Sequence, residues 1–247
     1  MTGNAGTRTE GRQDFAVAFD FFGTLVEIDR DVPTFAEVLT RNGFPCPEWL
    51  ASIFTPEAYN GVRTHREPPT ADQYERWRRR LLADLARCCA VPADAVGDLV
   101  HEMIELDRKW TVKAKSQAGD LLSWLHANNV RTAICSNWDY DLAPYLRQAG
   151  LPTPDVTVTS AEVGARKPHP ALFAALSQRL SSPPERIVFV GDDLRCDIAG
   201  AANSGMRAVW LTATAEPVSP DSRINACADL AEVWEVVSSH LGLAADR

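Results

Sequence analysis

The 247-residue chain contains no apolar run approaching the roughly 20 residues needed to cross a bilayer. It has no C-x-x-C pair either; its six cysteines stand apart as Cys46, Cys88, Cys89, Cys135, Cys196 and Cys227. In a chain this large, scattered thiols read as reduced core residues rather than a disulfide framework. Positive charge is not in excess: a net charge of -8 and a pI near 5.2 argue against a nucleic-acid footprint. The first residues, 1–14, are polar and Gly/Thr-rich without a hydrophobic segment of the signal-peptide kind, so they read as a disordered tail. There is no internal repeat and no low-complexity block. These absences point to a cytoplasmic protein with neither nucleic acid nor membrane as a partner.

The composition is that of an ordinary globular protein, 45% apolar and 23% charged. Its length suits one large domain or a core with an insertion. An acidic chain that binds an acidic ligand needs a local positive centre or a cation.

The stretch Phe15 to Val26 is a short apolar run, rich in Val and Phe, that ends in Asp20 and breaks at Gly23. Such a run reads as a buried strand. An unpartnered buried carboxylate is costly, so Asp20 is expected at the strand's carboxyl end, the edge where open α/β sheets bind ligands. Gly23 permits a sharp turn, and Thr24 offers a hydroxyl beside the carboxylate.

Helical patterning follows. Asp31 and Pro33 start a helix through Phe35, Val38 and Leu39 that stops at Asn42-Gly43. Several prolines, Pro56 among them, punctuate the next stretch, and Thr70 then caps a longer helix with Tyr74, Trp77, Leu81, Leu85 and Cys88 on one face. A third carries Val96, Leu99, Val100, Met103, Leu106 and Trp110. No strand signal falls between about Val32 and Lys115, which suggests an inserted helical unit. Strand and helix then alternate. Strands are expected at Arg131–Cys135, Val156–Thr159, Arg186–Val190 and Arg207–Leu211. Helices are expected at Asp139–Gly150, Pro170–Leu180, Ile198–Ser204 and Leu230–Leu241. Strands joined through single helices need crossovers, so the sheet is parallel with helices on both faces.

Parallel strands align their carboxyl ends, so Asp20, Ser136-Asn137 and Asp192-Asp193 converge there, with Asp197 one turn on. Lys167 lies between, stiffened by Pro168 and Pro170. Duller readings exist. Ser136, Asn137 and Asp139 precede a helix and would cap it, and Asp193 and Asp197 would favour a helix dipole; for Asp193 that is the preferred reading. His169 reads as a loop residue rather than a base, and the arginines from Arg76 to Arg80 as a solvated face.

From Phe15 to Thr212 the chain resembles the haloacid dehalogenase-like (HAD) superfamily of hydrolases. Its four signatures appear in order as Phe-Asp20-Phe-Phe22-Gly-Thr-Leu, Cys-Ser136-Asn137, Lys167-Pro-His-Pro, and Val-Gly-Asp192-Asp193-Leu-Arg-Cys-Asp197. The resemblance implies a Rossmann-like α/β core, residues 15–31 and 116–247, with a helical cap at 32–115. It implies Asp20 as nucleophile, with Ser136 and Lys167 contacting a phosphoryl group and Gly23, Thr24 and Asn137 lining its pocket. It implies Mg²⁺ on Asp20, Asp192 and the Phe22 carbonyl, supported by Asp193 and Asp197. The implied substrate is a small phosphorylated molecule.

The sequence departs from that pattern at Phe22. The family's phosphatases usually carry there an aspartate that protonates the leaving group, a contribution of about 10²–10⁴-fold. Three readings follow: a Mg²⁺-dependent phosphatase restricted to good leaving groups, a 2-haloacid dehalogenase forming an ester on Asp20, or a phosphate-binding protein with little or no turnover. Asp192 favours the first, because a second carboxylate repels an anionic haloacid. Substrate identity and oligomeric state are left open by the sequence.

Overall fold

The computed structural model describes residues 15–30, 32–50, 60–138, 141–213 and 221–244. The polar tail, the helix start assigned to Asp31, Pro56, and Asp139 with its capping role lie outside these residues. Six parallel strands form one sheet in the order β5-β4-β1-β6-β7-β8. They are β1 Ala16–Phe19, β4 Arg131–Ser136, β5 Val156–Thr159, β6 Ile187–Gly191, β7 Arg207–Leu211 and β8 Ile224–Cys227. The winding runs outward from β1 to β5, then crosses back and proceeds to β8. Such a reversal places a crevice at the carboxyl ends of the central strands.

Alternation in β1 divides the core. Val17 and Phe19 join Leu121, Leu122 and Leu125 of α4 (Ala118–Ala127) and Val233, Trp234 and Val237 of α9 (Leu230–Leu241). Ala16 and Ala18 face Leu172, Phe173 and Leu176 of α7 (Pro170–Leu180) on the other side. Small residues on that face let the helices approach closely. At Gly200 an added Cβ would lie 2.6 Å from the Phe173 ring, so that contact requires glycine.

A third apolar cluster belongs to the chain between β1 and β4. It joins Phe35, Val38 and Leu39 of α1 (Phe35–Arg41), Leu82 and Leu85 of α2 (Ala71–Cys88), and Leu99, Val100, Met103 and Ile104 of α3 (Val96–Asp107). Thr70 caps α2 as expected and forms a reciprocal box with Gln73. Four details differ from the sequence reading. The helix α1 begins only after Pro33, at Phe35, and Thr34 caps it, its hydroxyl meeting the Glu37 N–H. Trp110 lies beyond the end of α3 rather than on its face. The helix expected from Asp139 to Gly150 is, among the described residues, only α5, Ala143–Gln148. The turn after Asp193 is wide, with the Ile198 N–H reaching the Asp193 carbonyl at 3.2 Å, and passes into the short helix α8, Gly200–Asn203.

The inserted segment is also not wholly helical. Antiparallel strands β2 (Val26–Arg30) and β3 (Thr111–Ala114) form a ribbon joining it to the sheet. The sequence hides this ribbon because β2 is VEIDR, exposed after its first residue, so main-chain pairing holds it rather than apolar burial. The edge strand β8, INAC, was missed for a similar reason: it has no apolar run.

Four of the six thiols are buried and two, Cys46 and Cys88, are exposed, which corrects their reading as core residues. Burial pushes the Cys135, Cys196 and Cys227 thiols up to about 12, and desolvation raises Cys89 as well. Thiolate is the reactive form. Titration of native protein with a thiol reagent near neutral pH should therefore show two fast-reacting groups, with the other four appearing only in denaturant. Rapid reaction at Cys135 or Cys196 would contradict this packing.

Candidate active site

Asp20 follows the last residue of β1, and its backbone N–H continues the ladder to the Val190 carbonyl at 2.8 Å. Ser136 ends β4 on one side, and Asp192 follows β6 on the other. Adjacent strands lie roughly 4.8 Å apart, so three neighbouring strand ends bring their side chains within reach of one another. The Ser136 hydroxyl donates to Asp20 Oδ1 at 2.9 Å.

Lys167 enters this edge from the loop before α7 and is only 2% exposed. Its ammonium donates to Asp20 Oδ1 and Asp197 Oδ1, each at 2.6 Å, and to the Cys135 carbonyl at 3.0 Å. An ammonium has three donors, so all are satisfied. Burial alone would lower the lysine pKa, but Asp197 and Asp20 override it and the net displacement is upward. Burial raises the Asp197 carboxyl, while Lys167 pulls it back. Burial and the neighbouring Asp20 charge also raise Asp192, against a 3.0 Å hydrogen bond from Thr24.

Carboxylate oxygens of Asp20, Asp192 and Asp197 lie within 4.8 Å of one another. Lys167 and the Asp193 N–H already hold Asp197. Asp20 and Asp192 are left facing a turn where Gly23, at φ +91°, has no room for a side chain. A Cβ there would fall 2.2 Å from the Asp192 carboxylate. Lys115 donates to the Gly23 carbonyl at the same turn. This excess of hard oxygen donors suits a small divalent cation that keeps water or phosphate among its ligands.

Asn137 does not cap a helix: its Oδ1 accepts from the Lys167 N–H at 2.6 Å, and its Nδ2 donates to the Lys167 carbonyl at 3.1 Å. It thus clamps the backbone of the lysine. The inserted segment clamps the same loop from above. Gly61 N–H meets the Lys167 carbonyl at 2.9 Å, Thr64 N–H meets Gly164 at 2.8 Å, and Arg166 N–H meets Val62 at 3.0 Å. Asp193, as expected, is a cap, accepting from the Arg195 and Cys196 N–H groups. His169 caps α7, accepting from the Ala171 N–H at 3.1 Å.

Phe22 belongs to an aromatic wall, with its ring centre 5.7 Å from Trp110 and 6.4 Å from Trp138. The sequence reading missed this wall. Trp110 passed for a helix residue, although Arg108-Lys109 interrupt the apolar pattern before it. The wall bounds a cavity of about 250 Å³ that also touches Asn137. A hollow of about 340 Å³ lies at the opposite end of β4, near His126 and Asp155. There the polar groups bond one another through Thr132, so the chemistry belongs to the carboxyl edge.

Removing Lys167 would leave two buried carboxylates without their counter-ion, which typically costs about 3–5 kcal/mol. Lys167→Ala should lower the urea midpoint accordingly; a loss under about 1 kcal/mol would show that the pairing is not as buried as described.

The profile of the haloacid dehalogenase-like hydrolases matches residues 16–205. The chain is 29% identical over 145 residues to haloacid dehalogenase-like hydrolase domain-containing protein 3 of Mus musculus, covering 58% of this chain and 57% of that one. It is 37% identical over 83 residues to phosphoserine phosphatase of Thermus thermophilus, 32% of each chain. In neither does the chain span two thirds of the relative's length. A HAD phosphatase structure from Thermococcus onnurineus superposes with a TM-score of 0.57 at 19% identity, covering 90% of this chain and 97% of that one. A 2-haloacid dehalogenase structure from Pseudomonas syringae pv. Tomato DC3000 gives 0.59 at 23%, covering 92% and 99%. At such identities these two show the fold alone. With the profile matched across most of its length, the chain belongs to the haloacid dehalogenase-like hydrolases.

Proposed function

We propose that the chain is a Mg²⁺-dependent phosphatase that acts on a small phosphorylated molecule through Asp20. The observation that carries this reading is Asp192, whose carboxylate lies within 4.8 Å of the Asp20 and Asp197 oxygens. A haloacid, itself an anion, is repelled by that second charge. A phosphate dianion is repelled too, unless a divalent cation joins them. Asp20, Asp192 and the Phe22 carbonyl would hold Mg²⁺, which when bound neutralises charge on the phosphoryl oxygens.

The chain's own groups do the rest. Asp20 attacks phosphorus, a recognised use of a carboxylate. Ser136 and Lys167 both donate to Asp20 Oδ1; on substrate binding each would turn that donor to the oxygens of the transferring group, where charge gathers in a loose transition state. Asn137 fixes the lysine backbone, Thr24 orients Asp192, and Asp197 with its Asp193-capped turn holds the ammonium in place. The glycine at position 23 keeps the turn open for Asp192. Residues 32–115 act as a cap, closing through the Asn60–His65 contacts onto the Lys167 loop and excluding water. Curated relatives that include a phosphoserine phosphatase support phosphoester chemistry.

A second reading rests on Phe22. It transfers no proton, and halide needs none on leaving, so an aromatic at this slot is also compatible with dehalogenation.

Hydrolysis of p-nitrophenyl phosphate should require Mg²⁺ and vanish in EDTA and in Asp20→Asn. Phe22→Asp should raise turnover on alkyl phosphates, by up to about 10²–10⁴-fold if the missing acid is the limitation. Undiminished activity in EDTA, or chloride release from 2-chloropropionate, would favour the dehalogenase. Phosphate-dependent thermal stabilisation without turnover of any ester would favour a binding protein.

A further inference from the structure

Asp192 stands on a turn, one residue past the end of β6. Side chains hold its backbone there. In the neighbouring strand β7, Trp210 lies opposite Gly191, and its indole Nε1–H donates to the Asp192 carbonyl at 2.8 Å. The same peptide group carries the Asp193 N–H, which donates to Asp197 Oδ2 at 3.1 Å. A peptide group is a rigid plane, so a partner on its oxygen and another on its nitrogen stop it from turning. That restricts how far the Asp192 side chain can swing. The Thr24 hydroxyl then holds the carboxylate itself, 3.0 Å from Oδ1.

Packing alone does not account for an indole at position 210. Trp210 is half-buried against the core cluster on the Ala16 side of the sheet, where a phenylalanine ring would cover much of the same surface. What phenylalanine lacks is the donor. The donor matters because of the charges beside it. Asp20 and Asp192 place carboxylate oxygens within 4.8 Å of each other, and they repel. Asp20 is buried and held by Ser136 and Lys167, whereas Asp192 is open to solvent. Repulsion therefore acts mainly on Asp192, driving it out toward water.

We propose that Trp210 is a positioning residue for the cation site. Through the Asp192 carbonyl its N–H keeps the Asp192 carboxylate turned toward Asp20, and so raises the affinity for Mg²⁺. This deepens the phosphatase reading and rests on it for the cation. Hydrogen-bond partners of a metal's ligands typically contribute about 10–100-fold in affinity.

The test titrates Mg²⁺ alone into the full chain by calorimetry, which requires no substrate. In Trp210→Phe the dissociation constant for Mg²⁺ should rise about tenfold. Trp234→Phe, which removes an indole whose nitrogen has no partner, should leave that constant unchanged. A role confined to packing would lower the urea midpoint of Trp210→Phe and leave its Mg²⁺ constant at the wild-type value. That result, or an equal rise in Trp234→Phe, overturns the proposal and leaves the phosphatase standing. If Trp210→Phe does not fold, benzothienylalanine at position 210 keeps the shape of the side chain and puts sulfur in place of the N–H. The same rise there supports the proposal, and an unchanged constant overturns it. A wild-type chain that takes up no Mg²⁺ at millimolar concentration overturns the cation site itself, and the part of Trp210 in it.

Discussion

A single buried ammonium holds this edge of the molecule together. Lys167 has no contact with bulk water to speak of, and it keeps its charge because two carboxylates and a carbonyl accept its three protons. Without it, Asp20 and Asp197 would be two carboxylates in a dry place with no counter-ion. With it, Asp20 Oδ1 is held by the ammonium on one side and the Ser136 hydroxyl on the other. The backbone that carries Lys167 is therefore tied down from two directions, by Asn137 below and by the inserted segment above.

The same pairing defines what the site lacks. Lys167 offsets only one of three clustered carboxylates, with Lys115 approaching from the turn. Asp192 stays partly open to solvent and is raised by its burial and by its neighbour. A divalent cation is the simplest remedy for that surplus, and it also explains how an acidic chain would accept a phosphate. Beside this charged cluster around Asp20 stands an aromatic wall of Phe22, Trp110 and Trp138.

Much of the charged cluster was legible in the sequence, because a strand that ends in a polar residue leaves few places for that residue to go. Asp20, Ser136 and Asp192 each follow an apolar run of buried-strand character, and three parallel strands can align only one way. Asp193 was rightly read as a cap. The clamp that Asn137 makes on the Lys167 backbone has no sequence signal, since its bonds join residues 30 apart. The aromatic wall was invisible for the same reason. Trp110, Trp138 and Tyr145 belong to three separate segments, and only the ribbon of β2 and β3 brings the first against the others. That ribbon is short, charged and exposed, so periodicity passes over it.

The claim that matters most is that the carboxylate held by Lys167 takes up a phosphoryl group from its substrate. Rapid-quench mass spectrometry during p-nitrophenyl phosphate turnover with Mg²⁺ tests this directly. The account predicts that the peptide containing Asp20 gains the mass of one phosphoryl group, and that the gain disappears in EDTA. Turnover with that peptide unmodified throughout, or with the phosphoryl group on another residue, would contradict it.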